Sequence, residues 1–153
     1  MKRNAYVFLI VVGIVVLDQV TKYWIASSMG PTDSIELFPF LHIVNVRNTG
    51  AAFGSFRELG SSFFIIVSGM AIVFVIYLLH KRLYNTIGLS LILGGAIGNL
   101  IDRIAYGQVV DFIDFSVGRF HWPAFNVADS SLTIGIGVIF LTSFLKKQPS
   151  PTQ

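Results

Sequence analysis

Four apolar stretches, each close to the length of a membrane-spanning helix, constrain the fold of this chain more than any other feature. They cover residues 4–25, 61–79, 86–104 and 129–145. Because an α-helix rises about 1.5 Å per residue, roughly 20 residues cross the ~30 Å hydrocarbon core of a bilayer. The chain is 54% hydrophobic and 12% charged, whereas soluble domains contain about 25% charged residues. The pattern predicts four transmembrane helices in a single domain, 1–153.

Basic residues are distributed unevenly between the two ends of these predicted helices. Three segments contain basic residues and no acids. They are the N-terminus with Lys2 and Arg3, the link between the second and third helices with Lys81 and Arg82, and the C-terminus with Lys146 and Lys147. Since Lys and Arg accumulate in cytoplasmic segments, both termini are predicted to be cytoplasmic and residues 26–60 and 105–128 to lie outside. The net charge of +3 forms no single patch, so a membrane explains it better than nucleic acid does.

The N-terminal apolar run also has features of a signal peptide, because two basic residues precede it. However, the run continues into Asp18, Lys22 and the aromatic residues Tyr23 and Trp24, and no A-x-A cleavage site follows. These features favour a first helix that is retained in the protein.

The outer segment 30–60 is predicted to form a small β-rich platform on the membrane surface, which we call the cradle. Residues 41–47 are rich in β-branched side chains and alternate apolar with polar towards their end, and Asn48–Gly50 is a turn signal. Four aromatic residues of this segment are expected to reach the membrane interface: Phe38, Phe40, Phe53 and Phe56.

Two sets of polar residues are predicted on helix faces near the outer side. Asp18 and Lys22 are four residues apart and share one face of the first helix. They are either an ion pair that orients the helix or part of a functional site. In the third helix, Asn99 and Arg103 share a face, with Asp102 close to it. That face is either a capped helix end with snorkelling side chains or a surface that hydrogen-bonds peptide carbonyls.

The third predicted helix also contains a G-x-x-x-G pattern. Gly94 and Gly98 leave one helix face without side chains, which lets a neighbouring helix approach closely. The pattern indicates helix packing and does not by itself indicate a site.

Further acids lie in residues 109–131, between the third and fourth predicted helices. Asp111 and Asp129 are expected at similar depth near the outer boundary, and Asn126 supplies capping chemistry for the fourth helix. Two carboxyls that come close share one proton, because repulsion and low dielectric separate their pKa values. Such a pair suits an aspartic peptidase, in which one carboxylate activates water and one acid polarises a carbonyl. The alternative is that these acids are solvated in an outer loop.

Other classes of function find less support in the sequence. The chain has no cysteine, which excludes thiol catalysis, and no HExxH or similar metal-binding motif. A Ser–Lys peptidase would need Lys22, for which Asp18 is the more obvious partner. A proton-coupled transporter would distribute acids through the bilayer, and a non-catalytic scaffold would make Asp111 and Asp129 dispensable.

Five motifs, taken in order, resemble those of a known family. They are DQVTK at 18–22, VRNTGAAFG at 46–54, GGAIGNLIDR at 94–103, VVDF at 109–112 and FNVADS at 125–130. Together with the predicted topology, they resemble lipoprotein signal peptidase (signal peptidase II), a bacterial aspartic membrane peptidase. The resemblance covers nearly the whole chain.

The resemblance implies a mainly α membrane fold, a bundle of four transmembrane helices with a small extracytoplasmic β-rich cradle. It implies a location in the bacterial inner membrane, with the active site at the extracytoplasmic face. The implied reaction is cleavage of diacylglyceryl-modified prolipoproteins just before the lipidated cysteine. The implied partners are these substrates, membrane lipid and the inhibitor globomycin, and neither a metal nor an organic cofactor is expected.

The motifs also imply roles for individual residues. The catalytic pair is Asp111 and Asp129. The substrate-binding positions are Asn48, Asn99, Arg103 and Asn126, and supporting roles fall to Asp18, Lys22, Gly50 and Ala128. Asp114 matches no catalytic position and is interpreted as a solvated or structural acid, and residues 116–124 as an outer loop. We hypothesise that Asp129, close to a helix N-terminus, acts as the base and Asp111 as the acid.

Overall fold

The four predicted helices are present in the computed structural model, which describes residues 2–50 and 60–146. They are α1 (Lys2–Ser28), α2 (Gly60–Lys81), α3 (Thr86–Tyr106) and α4 (Val127–Lys146). By length and composition, each of these four described helices is able to cross a membrane. The predicted transmembrane bundle is confirmed. Phe53 and Phe56, predicted at the membrane interface, lie outside the described residues.

The glycines of α3 allow two other helices to pack closely against it. A Cβ atom added to Gly94 would lie 2.9 Å from a side-chain carbon of α1, and one added to Gly98 would lie 2.6 Å from Oδ2 of Asp18. On the side facing α4, a Cβ added to Gly95 would lie 2.5 Å from Oγ of Ser131. These distances are too short for a real Cβ atom, so the predicted packing role of the G-x-x-x-G pattern is confirmed.

A four-stranded antiparallel sheet lies at one end of the bundle, and it is larger than the predicted cradle. Its strands, in spatial order, are β1 (Ser34–Phe38), β2 (Leu41–Asn48), β3 (Val109–Val117) and β4 (Phe120–His121). The first two strands come from the predicted segment 30–60. The other two follow α3, so the interpretation of 116–124 as a loop was wrong for part of that segment. Pairing with β3 covers an edge of β2 that would otherwise leave backbone groups unpaired.

An apolar cluster fixes the sheet to the end of α1. Ile25 of the helix and Met29, the residue after its last turn, pack with Val110 and Phe112 of β3, and all four side chains are buried. The residue between the two strand members of this cluster is Asp111. Its backbone is therefore held on both sides by core residues.

The helix α4 begins at Val127, two residues before the predicted start at 129, because Asn126 caps it. Oδ1 of Asn126 accepts a hydrogen bond of 2.9 Å from the backbone N–H of Asp129, as expected of an N-cap side chain. Asp129 consequently lies in the first turn of α4, where the helix dipole favours negative charge.

Candidate active site

Asp111 and Asp129, the predicted catalytic pair, line the same cavity, which has a volume of about 610 Å³. Asp111 comes from β3 and Asp129 from the first turn of α4. Four other predicted site residues also line this cavity, namely Asn48, Gly50, Asn99 and Arg103. The remaining two residues of the FNVADS motif that were predicted to contribute, Asn126 and Ala128, are completely buried.

Three asparagine amides donate hydrogen bonds to the two carboxyl groups. Nδ2 of Asn48 lies 3.0 Å from Oδ2 of Asp111, and Nδ2 of Asn126 lies 2.7 Å from Oδ1 of Asp111. Nδ2 of Asn99 lies 2.7 Å from Oδ1 of Asp129.

Two of these amides are oriented by backbone N–H groups. Oδ1 of Asn48 accepts a hydrogen bond of 2.9 Å from the backbone N–H of Gly50, and Oδ1 of Asn126 accepts one from the backbone N–H of Asp129. Flipping either amide would place N–H against N–H, since a backbone nitrogen can only donate. Both asparagines therefore present N–H groups to Asp111, and Gly50 has a defined part in the site.

The third amide is oriented by a buried cation. Nζ of Lys22 lies 2.9 Å from Oδ1 of Asn99, 2.8 Å from Oδ2 of Asp18 and 3.0 Å from Oδ2 of Asp102. We call Lys22, Asp18 and Asp102 the ion cluster; their side chains are at most 3% exposed. An ammonium group has three donors, and each has an acceptor here. The predicted ion pair between Asp18 and Lys22 is confirmed.

Asp18 also links α1 to the start of α4. Its Oδ1 accepts a hydrogen bond of 2.9 Å from the backbone N–H of Ala128. The methyl group of Ala128 would lie 3.3 Å from a Cβ atom placed on Gly98. Because Gly98 has no side chain and Ala128 has only a methyl group, three helices can meet at the ion cluster.

Asp102 and Gln19 were missed as members of this arrangement. Besides Lys22, the carboxylate of Asp102 accepts hydrogen bonds from Nε2 of Gln19 (2.9 Å) and from the backbone N–H of Val110 (3.3 Å). The position of Asp102 near the face of Asn99 was visible in the sequence. Its pairing with Lys22 depends on the packing of α1 against α3, which no local pattern predicts.

Arg103 places a cation at the cavity wall, and none of its described hydrogen bonds is to the aspartates. Its Nη1 donates to the backbone carbonyl of Asn99 (3.3 Å), and its guanidinium lies 5.4 Å from the ring centre of Phe64. These contacts hold the side chain along the cavity wall. A guanidinium has further N–H groups with which to bind peptide carbonyls.

Asp114 is separate from this site. It is buried, its Oδ2 lies 2.8 Å from Nδ1 of His121 on β4, and it is not among the residues that line the cavity. Of the two interpretations of this acid, solvated or structural, the structure supports the structural one.

The two cavity aspartates have the electrostatic relation expected of a proton-sharing pair. Burial and, to a smaller extent, the nearby charge of Asp129 raise the pKa of Asp111 from its ordinary value of 3.8 to about 6. Hydrogen bonds from Asn48 and Asn126 and the charge of Lys22 lower this pKa and offset part of that effect. A carboxyl with a pKa raised in this way is able to hold a proton near pH 6.

The residues of the cavity provide acid–base chemistry and amide donors. In residues 2–50 and 60–146, no group of three or more His, Asp or Glu side chains is arranged to hold a metal ion. Two carboxyl groups in one cavity, with an arginine in its wall, can activate water and polarise a carbonyl group when one is charged and the other protonated.

Known proteins share this sequence and this fold. A family model described as signal peptidase (SPase) II matches residues 10–145. The lipoprotein signal peptidase of Thermodesulfovibrio yellowstonii is 47% identical over 146 residues, covering 95% of this chain and 96% of the relative. One from Staphylococcus aureus is 44% identical over 142 residues, covering 90% and 86%. A solved bacterial membrane enzyme structure aligns with a TM-score of 0.84 at 39% identity, covering 97% of this chain and 95% of that chain. This chain belongs to the signal peptidase II family.

Proposed function

We propose that this protein is an aspartic endopeptidase that removes the signal peptide from diacylglyceryl-modified bacterial prolipoproteins, cutting just before the lipidated cysteine. Family membership supports a peptidase that processes prolipoproteins. The observation that supports the aspartic mechanism is that Asp111 and Asp129 line one cavity, each held by asparagine amides. No cofactor enters the proposed reaction.

In the first step, water attacks the carbonyl carbon of the scissile peptide bond. The Asp129 carboxylate takes a proton from this water, and Asp111 gives its proton to the carbonyl oxygen. A carbon–oxygen bond forms as the carbonyl double bond becomes single, which yields a neutral gem-diol. Charge never accumulates on the substrate, because one proton arrives as another leaves.

In the second step, the gem-diol collapses and the carbon–nitrogen bond breaks. Asp129 returns its proton to the leaving nitrogen, and Asp111 takes a proton from one hydroxyl group as the carbonyl re-forms. The products are the signal peptide with a new carboxyl terminus and the lipoprotein with a free amino group on its cysteine. Both aspartates return to their starting protonation states.

The surrounding residues receive roles consistent with their contacts. Asn48, Asn99 and Asn126 were predicted to bind substrate, and their amide hydrogen bonds support an additional role in holding the carboxyl groups. Arg103 is the residue that we propose to bind a peptide carbonyl of the substrate, since its cation lies in the cavity wall. Support of the site is assigned to Asp18, Lys22, Gly50 and Ala128.

We place the protein in the bacterial inner membrane, with both termini in the cytoplasm and the cavity at the extracytoplasmic face. The uneven distribution of Lys and Arg supports this orientation. Four acids from three helices and β3 meet at the sheet end of the bundle: the buried Asp18, Asp102 and Asp111, and the partly buried Asp129. Acids at one end of the bundle can act on a peptide bond near the membrane surface while the acyl chains of the substrate lie in lipid. A proton relay would instead need acids spread through the bilayer. Globomycin is the expected inhibitor.

The lipidated precursor is expected to be cleaved at least roughly 100-fold more efficiently than the unlipidated one, because each acyl CH₂ group in lipid contributes about 0.8 kcal/mol to membrane binding. The measurement is kcat/KM of the purified protein in lipid bilayers. The matched control is the same precursor with its cysteine replaced by serine, which cannot carry the lipid. Equal efficiency for the two precursors would show that the lipid is not recognised.

Cleavage is expected to weaken as the pH rises through about 6. Asp111 must be protonated to act as the acid, and since its pKa is raised to about 6, the active form persists below that pH and is lost above it. The profile of kcat/KM against pH reports groups of the free enzyme, so its alkaline limb should have a midpoint close to 6. The variant Asp114→Asn, which changes only the partner of His121, should keep this limb. A profile that is flat or rises across this range would refute the assignment.

A further inference from the structure

A continuous line of hydrogen bonds connects the ion cluster to one of the two cavity carboxyls. Lys22 donates to Oδ1 of Asn99 (2.9 Å), and Nδ2 of Asn99 donates to Oδ1 of Asp129 (2.7 Å). Asn126 also donates to Oδ1 of Asn99 (3.2 Å). The carbonyl side of Asn99 therefore faces two donors, and its N–H side faces the aspartate.

This direction has a chemical consequence for Asp129. An ammonium group can only donate hydrogen bonds, so the oxygen of Asn99 must face Lys22 and its N–H must face Asp129. A carboxylate oxygen accepts this hydrogen bond more strongly than the carbonyl oxygen of a protonated carboxyl group does. The hydrogen bond therefore favours the charged form of Asp129. The charge of Lys22 also polarises the amide, which strengthens the donation.

Asp111 is held differently, and the contrast makes the role of Lys22 decisive. Asp111 receives two amide hydrogen bonds, from Asn48 and Asn126, whose orientations are fixed by backbone N–H groups. These two hydrogen bonds would persist if Lys22 were lost. Since Asp111 has two amide donors and Asp129 has one, the amides alone would make Asp111 the better anion, and the charge of Lys22 behind Asn99 is what favours Asp129 instead.

We infer that Lys22 is a positioning residue, which acts through the amide of Asn99 to make Asp129 the charged carboxyl and Asp111 the one that holds the proton. The inference rests on the proposed aspartic mechanism and specifies what sets the two roles. The other charged groups that face the pair come from the packed helices: Asp18 of α1, and Asp102 and Arg103 of α3. None of them donates to the side-chain oxygen of Asn99 or accepts from its side-chain N–H group; Arg103 donates only to its backbone carbonyl.

The test uses a double variant, Asp18→Asn/Lys22→Gln, which removes one positive and one negative charge and so keeps the net charge of the ion cluster. The single variant Asp18→Asn is the matched control, because it leaves Lys22 on Asn99 and Asp102. Asn99→Leu is the second test, since it interrupts the line of hydrogen bonds and keeps the ion cluster intact.

The readout is the infrared band of the protonated carboxyl, recorded at a pH at which the pair holds one proton. Asn48 donates to Asp111 and not to Asp129, so adding Asn48→Ala shifts this band only when Asp111 holds the proton. We expect Asn48→Ala to shift the band in the wild type and in Asp18→Asn. In Asp18→Asn/Lys22→Gln and in Asn99→Leu, we expect it to have no effect, because the proton has moved to Asp129.

The same shift in all backgrounds, or no shift in the wild type, would overturn the inference. The band is measured without substrate, so this result is independent of whether the protein cleaves prolipoproteins. As a second readout, we expect kcat of both test variants to fall roughly 10²-fold, with KM nearly unchanged. A proton on the wrong aspartate removes general acid–base catalysis, which contributes about 10²–10⁴-fold. A loss confined to KM would indicate a substrate-binding role and would also contradict the inference.

Discussion

Replacing Lys22 by methionine is expected to lower the free energy of unfolding by about 3–5 kcal/mol, because removing one partner of a buried ion pair leaves uncompensated charge. Asp18 and Asp102 lie 2.8 and 3.0 Å from the Lys22 ammonium, and their side chains are at most 2% exposed. Proteins are stable by only about 5–15 kcal/mol, so the loss is a large fraction of the total. Thermal unfolding of the purified variant in detergent, followed by circular dichroism, measures it.

Lys81→Met is the matched control for this prediction. Lys81 is an exposed residue at the end of α2, and its ammonium lies 5.8 Å from the ring centre of Tyr77. Its replacement also removes one lysine from a helix, but it leaves no buried charge behind, so the unfolding temperature should stay the same. If both variants unfold at the wild-type temperature, the ion cluster does not stabilise the fold in the way its geometry indicates.

Asparagine at position 111 or at position 129 is expected to reduce kcat by roughly 10³-fold or more. An amide neither takes a proton from water nor gives one to a carbonyl oxygen, and general acid–base groups contribute about 10²–10⁴-fold each. Groups that act as a unit also lose most of their joint effect when one is removed. Single-turnover cleavage of a lipidated precursor by Asp111→Asn and Asp129→Asn measures this loss.

The control for the aspartate variants is Asp114→Asn. Asp114 lies on β3, like Asp111, and is also buried, but it pairs with His121 and does not line the cavity. The same chemical change at this position should leave the cleavage rate close to that of the wild type. Comparable losses at positions 111 and 114 would indicate that disruption of β3, rather than loss of a catalytic group, explains the effect.

Features that depend on local sequence were predictable. The membrane spans follow from apolar runs of helical length, and the confirmed ion pair between Asp18 and Lys22 follows from their spacing of four residues. The glycine pattern at Gly94 and Gly98 correctly indicated a close helix contact. Each of these properties is set by the period of one helix, which the sequence expresses directly.

Features that depend on contacts between elements were not predictable in the same way. Asp102 lies at the edge of a helix face, and only the approach of α1 to α3 turns it into a partner of Lys22. Likewise, Asp111 was predicted near the outer boundary, but the segment 109–117 that contains it was not predicted to be a strand. Its place in the sheet depends on a partner strand, β2, far away in the chain. The directions of the asparagine amides follow from groups on other elements, so residue types alone do not reveal them.

The dependence of lipoprotein processing on both cavity aspartates is tested most directly by mass spectrometry of the products formed from one lipidated prolipoprotein. The wild-type protein is expected to produce an intact signal peptide and a mature chain that begins with the lipidated cysteine. Asp111→Asn and Asp129→Asn are expected to leave the precursor uncut under the same conditions. Cleavage by either variant at the wild-type rate, or cleavage of a different bond by the wild type, would contradict the proposed function.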